Sequence, residues 1–452
     1  MTAHSLPPVP TSLHGCATEW LTLVSAFMAH SACVPARLDA ATAAAPRSPA
    51  LLAAKGLIFL LLGRRELADK AADLLDEAKL ALVDGADAHD RMMVEALGDF
   101  VAGLPSRAAA QFDRILERYP ADGFALKMAQ AIRFLYGDCA GMRASAEAAI
   151  AAFADDHPHA GYAHGCRAFA AEEAGDLAAA ERAGARALEL AGDDAWALHA
   201  VAHVYEMQGE AKRGRDWLAG RKAVFAGCSN FAHHVWWHSA LFELELGDVD
   251  AVLALYDGKI RREPTDDYRD IANAVSLLSR LEADGVAVGS RWDELAALAE
   301  ARVEDGCIVF ADLHYLMALL GAGRDAAAQR LVARLSEADE ETEFGAVARR
   351  EGARAALGLA AFAQGRHREA FEGLMEARTS LIRIGGSHAQ RDVFERLTIE
   401  AALRAGRGTM ARALIEERAR GRGGYDRFAT ERLARCAAMA AAIAPAAMPA
   451  AF

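Results

Sequence analysis

Ala195-Trp196-Ala197-Leu198-His199-Ala200-Val201-Ala202-His203-Val204-Tyr205-Glu206-Met207-Gln208-Gly209 is an apolar helical run closed by a glycine, with Glu210 opening the next segment. Glycine suits the left-handed position just past a helix C-terminus. A second helix is expected over 212–226, and then the form repeats. Phe231-Ala232-His233-His234-Val235-Trp236-Trp237-His238-Ser239-Ala240-Leu241-Phe242 leads to Gly247-Asp248, and another helix is expected over 249–260. Working outward, the same mark of Gly plus a polar residue stands at Gly63, Gly137, Gly175, Gly323, Gly365 and Gly406, with Gly103 a weaker instance. From Gly103 the successive spacings are 34, 38, 34, 38, 76, 42 and 41. Two helices per unit at such a period read as a tetratricopeptide-like array. The expected fold is all-α, a helix-turn-helix superhelix curled around a central pocket. Residues 1–15 are expected to be a flexible lead-in, 16–436 a single repeat domain and 437–452 a frayed Ala-rich tail. The unit near Gly285 lacks the mark and is expected to be irregular.

Composition agrees with helices. Of 452 residues, 53% are hydrophobic and 25% charged, and alanine dominates; alanine loses no side-chain entropy in a helix. A net charge of −13 argues against a phosphate-neutralising surface, so nucleic acid is not an expected partner. Seven scattered cysteines without a CxxC pair read as a reduced cytoplasmic chain. No apolar run is long enough to span a bilayer, and no secretory signal opens the chain, so no membrane partner is expected. Oligomeric state is left open.

The candidate chemistry sits on the inner helices. His199 and His203 are four residues apart and Glu206 three further on, one stripe of a helix. Two such imidazoles could chelate a divalent metal with Glu206 as third ligand or as general base; the alternative is a hydrogen-bonded polar belt with no metal or other cofactor. His234 and His238 repeat the spacing, with Trp237 as core or cavity wall. His164, His199 and His234 recur at intervals of 35, which would put three imidazoles at one level. Asp312 lies in an apolar run beside His314 and, if buried, needs a histidine or arginine partner; a helix N-cap is its alternative. Ser387 and Gln390 fit a capping box. The Gly385-Gly386 turn before them could also present amides to an anion. Arg391 is a cation in a first helical turn, where the dipole disfavours it. It therefore calls for an acidic partner or an anionic ligand, alongside His388 and Asp392. The motifs of P-loop NTPases, Rossmann oxidoreductases and α/β-hydrolases are absent.

These same segments resemble the tetratricopeptide repeat protein 38 family, in a bacterial form. The resemblance rests on His199 to Met207, Trp237 to Phe242, Leu255-Tyr256-Asp257, Ser276-Leu277-Leu278, Arg291-Trp292, Asp312-Leu313-His314 and Gly385 to Phe394, within about residues 90 to 420. Val235 departs from the family's His-Asn-Trp/Tyr-Trp-His pattern, and His388 replaces an Asn of some members. The resemblance implies an all-α repeat fold and a distinctive His, Glu, Asp, Trp and Arg set, but no reaction.

Three readings compete. In the first, a central pocket binds, and with acid–base chemistry of hydrolase or lyase type transforms, a small polar or anionic molecule. His203, His238, Asp312 and Glu206 would be catalytic; His199, His234, Trp237, His164, Tyr205, His314, Ser387, His388, Gln390, Arg391 and Asp392 would bind. In the second, a non-catalytic scaffold holds a protein or peptide in its concave groove. In the third, the polar belt is structural only.

Overall fold

The structure is a computed structural model that describes residues 7–82 and 86–443. Among the described residues it is helical without β-strands; one isolated bridge joins Ser31 and Cys228. Helices pack as antiparallel pairs, and every glycine of the sequence mark has a positive φ, from 62° at Gly63 to 82° at Gly247. Gly285 does too, at 82°. The expected irregular unit thus keeps its mark, hidden in the sequence because Val286 rather than a polar residue comes after it. Its second helix starts only at Arg291.

Second helices fall at Leu177–Leu190 and Asp325–Ser336, as the spacing predicts. Two differ. The helix expected over 212–226 is split into Ala211–Ala219 and Lys222–Phe225, with Gly220 and Arg221 between them. That over 249–260 ends in a π-helical turn, Tyr256–Ile260. Small residues permit the close pairing. A Cβ on Gly214 would lie 2.2 Å from the Phe242 ring, and one on Gly184 2.4 Å from Val201.

The array curls back on itself. Glu343 N–H donates to Gly103 O at 3.0 Å, Arg302 pairs with Glu66 at 2.8 Å, and Ser229 N–H donates to His30 O at 3.0 Å. Distant units therefore form one wall, and most of the interior is a continuous apolar core running from Leu13 to Leu397. Within the expected lead-in, Leu13 is buried and the Ser12 hydroxyl donates to Asp90 at 2.6 Å; residues 1–6 lie outside the described residues. The last helix, Arg427–Ile443, enters the expected tail, and residues from 444 lie outside the described ones. Among the described residues no helix is long and apolar enough to cross a membrane.

Candidate functional site

Six helices build the site: α1 (Ala160–Glu173), α2 (Ala195–Met207), α3 (Phe231–Leu246), α4 (Tyr268–Ala283), α5 (His388–Arg404) and α6 (Gly408–Gly421). Asp194 caps α2 by accepting from the Trp196 and Ala197 amides. Ser387 and Gln390 close a capping box at the start of α5, so both residues have the helix-start role that their spacing implies.

Across α2 and α3 four imidazoles meet through their Nε2 atoms. His203 and His199 are 2.8 Å apart, His199 and His234 2.9 Å, and His234 and His238 3.2 Å. One donor atom from each lies within 4.8 Å of the others, close enough to share a cation. His199, His203 and His238 are buried. Aromatic rings enclose the group: Trp237 stacks on His234 at 5.3 Å and Phe169 on His199 at 5.5 Å. Trp237 is itself fully buried, part of the wall.

Behind the imidazoles stand acceptors. His238 Nδ1 lies 3.3 Å from Glu206, His203 Nδ1 3.4 Å from Glu172, and His234 Nδ1 3.1 Å from Asn273 Oδ1. Burial, reinforced by the neighbouring imidazoles, holds His199 and His234 well below the usual histidine range. His238 is brought down to about 4, mainly by burial. Glu206 does not join the ring of nitrogens as the expected third ligand; it turns outward to Arg422 at 2.8 Å. Burial pushes its pKa up, but the His238 hydrogen bond and Arg422 outweigh this and keep it a carboxylate. Three residues beyond His203, its side chain leaves the stripe on the far side of His238.

The second group surrounds Asp392 on α5. Arg418 binds it at 2.6 Å, Arg396 at 2.7 Å, Arg422 at 3.5 Å and Arg280 at 3.9 Å. These guanidinium groups overcome its burial and hold its carboxyl well below the ordinary range. Next to this group a cavity of about 350 Å³ is lined by His388, Arg391, Arg418, Arg422, Met207 and Phe394, among others. Arg391 has the acidic partner its position calls for, Glu173 at 3.2 Å, and also donates to Gly386 O. Glu173 accepts from the His388 amide at 2.8 Å. Burial pushes the Glu173 carboxyl up, but His388 and Arg391 outweigh it. Burial and the adjacent Glu173 push Glu172 well up.

Four expected site residues stand apart. Asp312 is buried, pairs with Arg334 at 2.6 Å, and is brought up to about 6 by burial. It is not an N-cap, because Ile308 occupies that position, and no histidine pairs with it among the described residues. His314 packs against Phe310 and Phe394 and donates to Phe310 O at 2.7 Å. Tyr205 turns to the opposite side, where its hydroxyl donates to Glu181 at 3.1 Å. His164 is only partly buried and lies outside the ring of nitrogens. It stands eleven residues before its glycine mark and His199 ten before the next. One residue turns a helix by about 100°, so equal sequence spacing does not mean equal facing. Phe169 of α1 meets His199 and His203 instead.

Sequence reasoning missed Glu172, Glu173, Asn273, Arg280, Arg418 and Arg422. Adjacent glutamates at the end of an apolar inner helix were a readable signal. The arginines, in ordinary charged surroundings, gave none.

No protein-family model matches the chain. Among solved structures it is similar to one described as "Human IFIT1 dimer with PPP-AAAA", at 14% identity and a TM-score of 0.41 over 96% of both chains. It is also similar to "Human IFIT1 dimer with m7Gppp-AAAA", at 15% identity and a TM-score of 0.38, over 87% of this chain and 90% of that one. A third is "Structure of Naa15/Naa10 bound to HypK-THB", at 14% identity and a TM-score of 0.26, over 88% and 67%. The first two carry PPP-AAAA and m7Gppp-AAAA, which corrects the expectation that nucleic acid is excluded as a partner. The net charge of −13 is a sum over the whole molecule, whereas binding depends on local charge.

Proposed function

We propose that this chain belongs to the tetratricopeptide repeat protein 38 family, with residues 16–436 as one repeat domain, and binds a small anionic or polar molecule in the cavity beside α5. One observation carries the reading. The cavity wall brings together four guanidinium groups, of Arg378, Arg391, Arg418 and Arg422, each held in place by a carboxylate: Glu395, Glu173, Asp392 and Glu206 in turn. Guanidinium groups fixed by such pairs present their remaining N–H donors to the oxygens of an anion. His388, partly exposed on that wall, supplies a further donor. Proton transfer of hydrolase or lyase type would fall to Glu206, which lines the narrow cavity beside Arg280, Arg396 and Arg422.

The test is calorimetric titration of the full chain with phosphate, phosphomonoesters, mono- and dicarboxylates, and a 5′-triphosphate oligonucleotide. We expect saturable, salt-sensitive binding of at least one class. Losing a charged hydrogen bond is worth about 1.5–3 kcal/mol, so Arg391→Met and His388→Ala should weaken binding roughly tenfold or more. Absence of binding across the panel, or unchanged affinity in both variants, overturns the proposal.

A further inference from the structure

The ring of four histidines poses a problem of lone pairs that begins at a helix cap. In the capping box of α5, the Ser387 amide donates to Gln390 Oε1 at 3.0 Å. This fixes the orientation of the Gln390 amide, so its Nε2 is the end that faces Asn273, at 3.3 Å. A donor needs an acceptor, so Asn273 presents Oδ1. The same oxygen faces His234 Nδ1 at 3.1 Å, and that nitrogen must therefore carry the proton. His234 Nε2 is left bare. Independently, Arg422 holds Glu206 as a carboxylate, which has no proton to give to His238 Nδ1 at 3.3 Å. His238 Nδ1 therefore carries the proton, and its Nε2 is bare as well. These two bare nitrogens stand 3.2 Å apart, lone pair towards lone pair, with the Nε2 atoms of His199 and His203 completing the group. A cation between them removes the conflict.

We propose that His199, His203, His234 and His238 bind one divalent late first-row transition-metal ion through their Nε2 atoms, clamping α2 to α3. Four features of the ring agree. Four imidazoles without thiolate or carboxylate suit Zn²⁺, Co²⁺, Ni²⁺ or Cu²⁺ rather than Mg²⁺ or Ca²⁺. Tetrahedral Zn–N bonds of about 2.0–2.1 Å put ligand nitrogens about 3.3–3.4 Å apart. The observed contacts of 2.8–3.2 Å reach that by small outward shifts of the rings. Three of the four rings have an oxygen acceptor behind Nδ1, the arrangement that orients histidine ligands and raises their basicity. Finally, Glu172 is fully buried and, among the described residues, neither of its oxygens has a hydrogen-bond partner. A metal on His203 polarises the Nδ1–H that faces Glu172 at 3.4 Å and makes it a stronger donor to that carboxyl group.

Four protein ligands fill a tetrahedral shell, so the site is of the closed, structural type, with no position left for water or substrate. It joins two successive repeat units through their inner helices. The metal site stands apart from the anion cavity: the ion lies on the far side of Glu206 from Arg422.

The test uses the full chain, stripped with chelator and titrated with Co²⁺. We expect one equivalent to bind with the visible d–d absorption of tetrahedral cobalt, displaced by Zn²⁺. His238→Ala should lose this spectrum and weaken binding more than 100-fold. Asn273→Leu keeps all four ligands and covers the case in which the histidine variant does not fold; it should weaken Co²⁺ binding by about 10–100-fold. Octahedral or sub-stoichiometric cobalt in the wild type overturns the proposal and leaves a shared proton as the occupant. Unchanged binding in a folded His238→Ala or in Asn273→Leu overturns it too. Anion titration of the cavity reports separately, so failure of either reading is told from failure of the other.

Discussion

Two buried polar regions lie side by side and solve the problem of burial in opposite ways. Around Asp392, charges are matched: Arg418, Arg396 and Arg422 converge on it, and Asp426 and Glu206 take up further guanidinium contacts. In the histidine ring, burial keeps the groups neutral, and their Nε2 atoms meet one another rather than a counter-charge. The matched region draws its counter-charges from the chain and borders the anion cavity. The neutral region has room for something the chain does not supply. The difference separates a network whose charges are supplied by the chain from one whose counter-charge has to come from a cation.

The sharpest break of that comparison is Asp392→Ala. It removes the shared carboxylate and strands buried guanidinium groups, for which about 3–5 kcal/mol of lost stability is expected, measured by urea unfolding. Next is chelation. With metal at a hundredfold above its dissociation constant the wild type should gain about 2.7 kcal/mol, so chelator should lower its Tm, while His199→Ala should show no chelator response.

A smaller effect comes from acid. Burial brings His314 down to about 4, and His159 likewise. Below pH 6.5 the unfolded chain takes up protons that these folded imidazoles refuse. Stability is therefore full above that pH and falls towards pH 4, by up to roughly 1.4 kcal/mol per pH unit for each histidine. Unfolding curves of wild type and His314→Gln between pH 7 and 4.5 check the sign by difference; an unchanged difference, or one that shifts in favour of the wild type on acidification, would refute it. The smallest effect is His164→Ala. Partly exposed and outside the ring, it should shift stability by no more than about 0.5 kcal/mol and leave Co²⁺ binding unchanged. A loss of cobalt binding there would restore the three-level reading of the 35-residue spacing.

The glycine marks show how legible the array was. A left-handed turn needs glycine at one place per unit whatever the neighbours do, so Gly63 to Gly406 could be read in line. Gly285 escaped only because the residue after it is apolar. The histidine pairs on α2 and α3 were legible for the same local reason, since four residues make one turn. His164 and Asp312 misled because facing depends on helix register and on what packs opposite, Phe169 in one case and Arg334 in the other.

The sequence by itself determined the helices, their pairing and the two histidine pairs, because these arise from periods of a few residues and from backbone conformation. Only the tertiary structure decided that the two pairs form one ring, that Glu206 faces Arg422 and that Glu172 stands behind His203. Those contacts join residues up to 216 positions apart, as Arg422 and Glu206 are. They arise from how the superhelix closes, and closure is set by the sum of many small packing angles that no single stretch encodes.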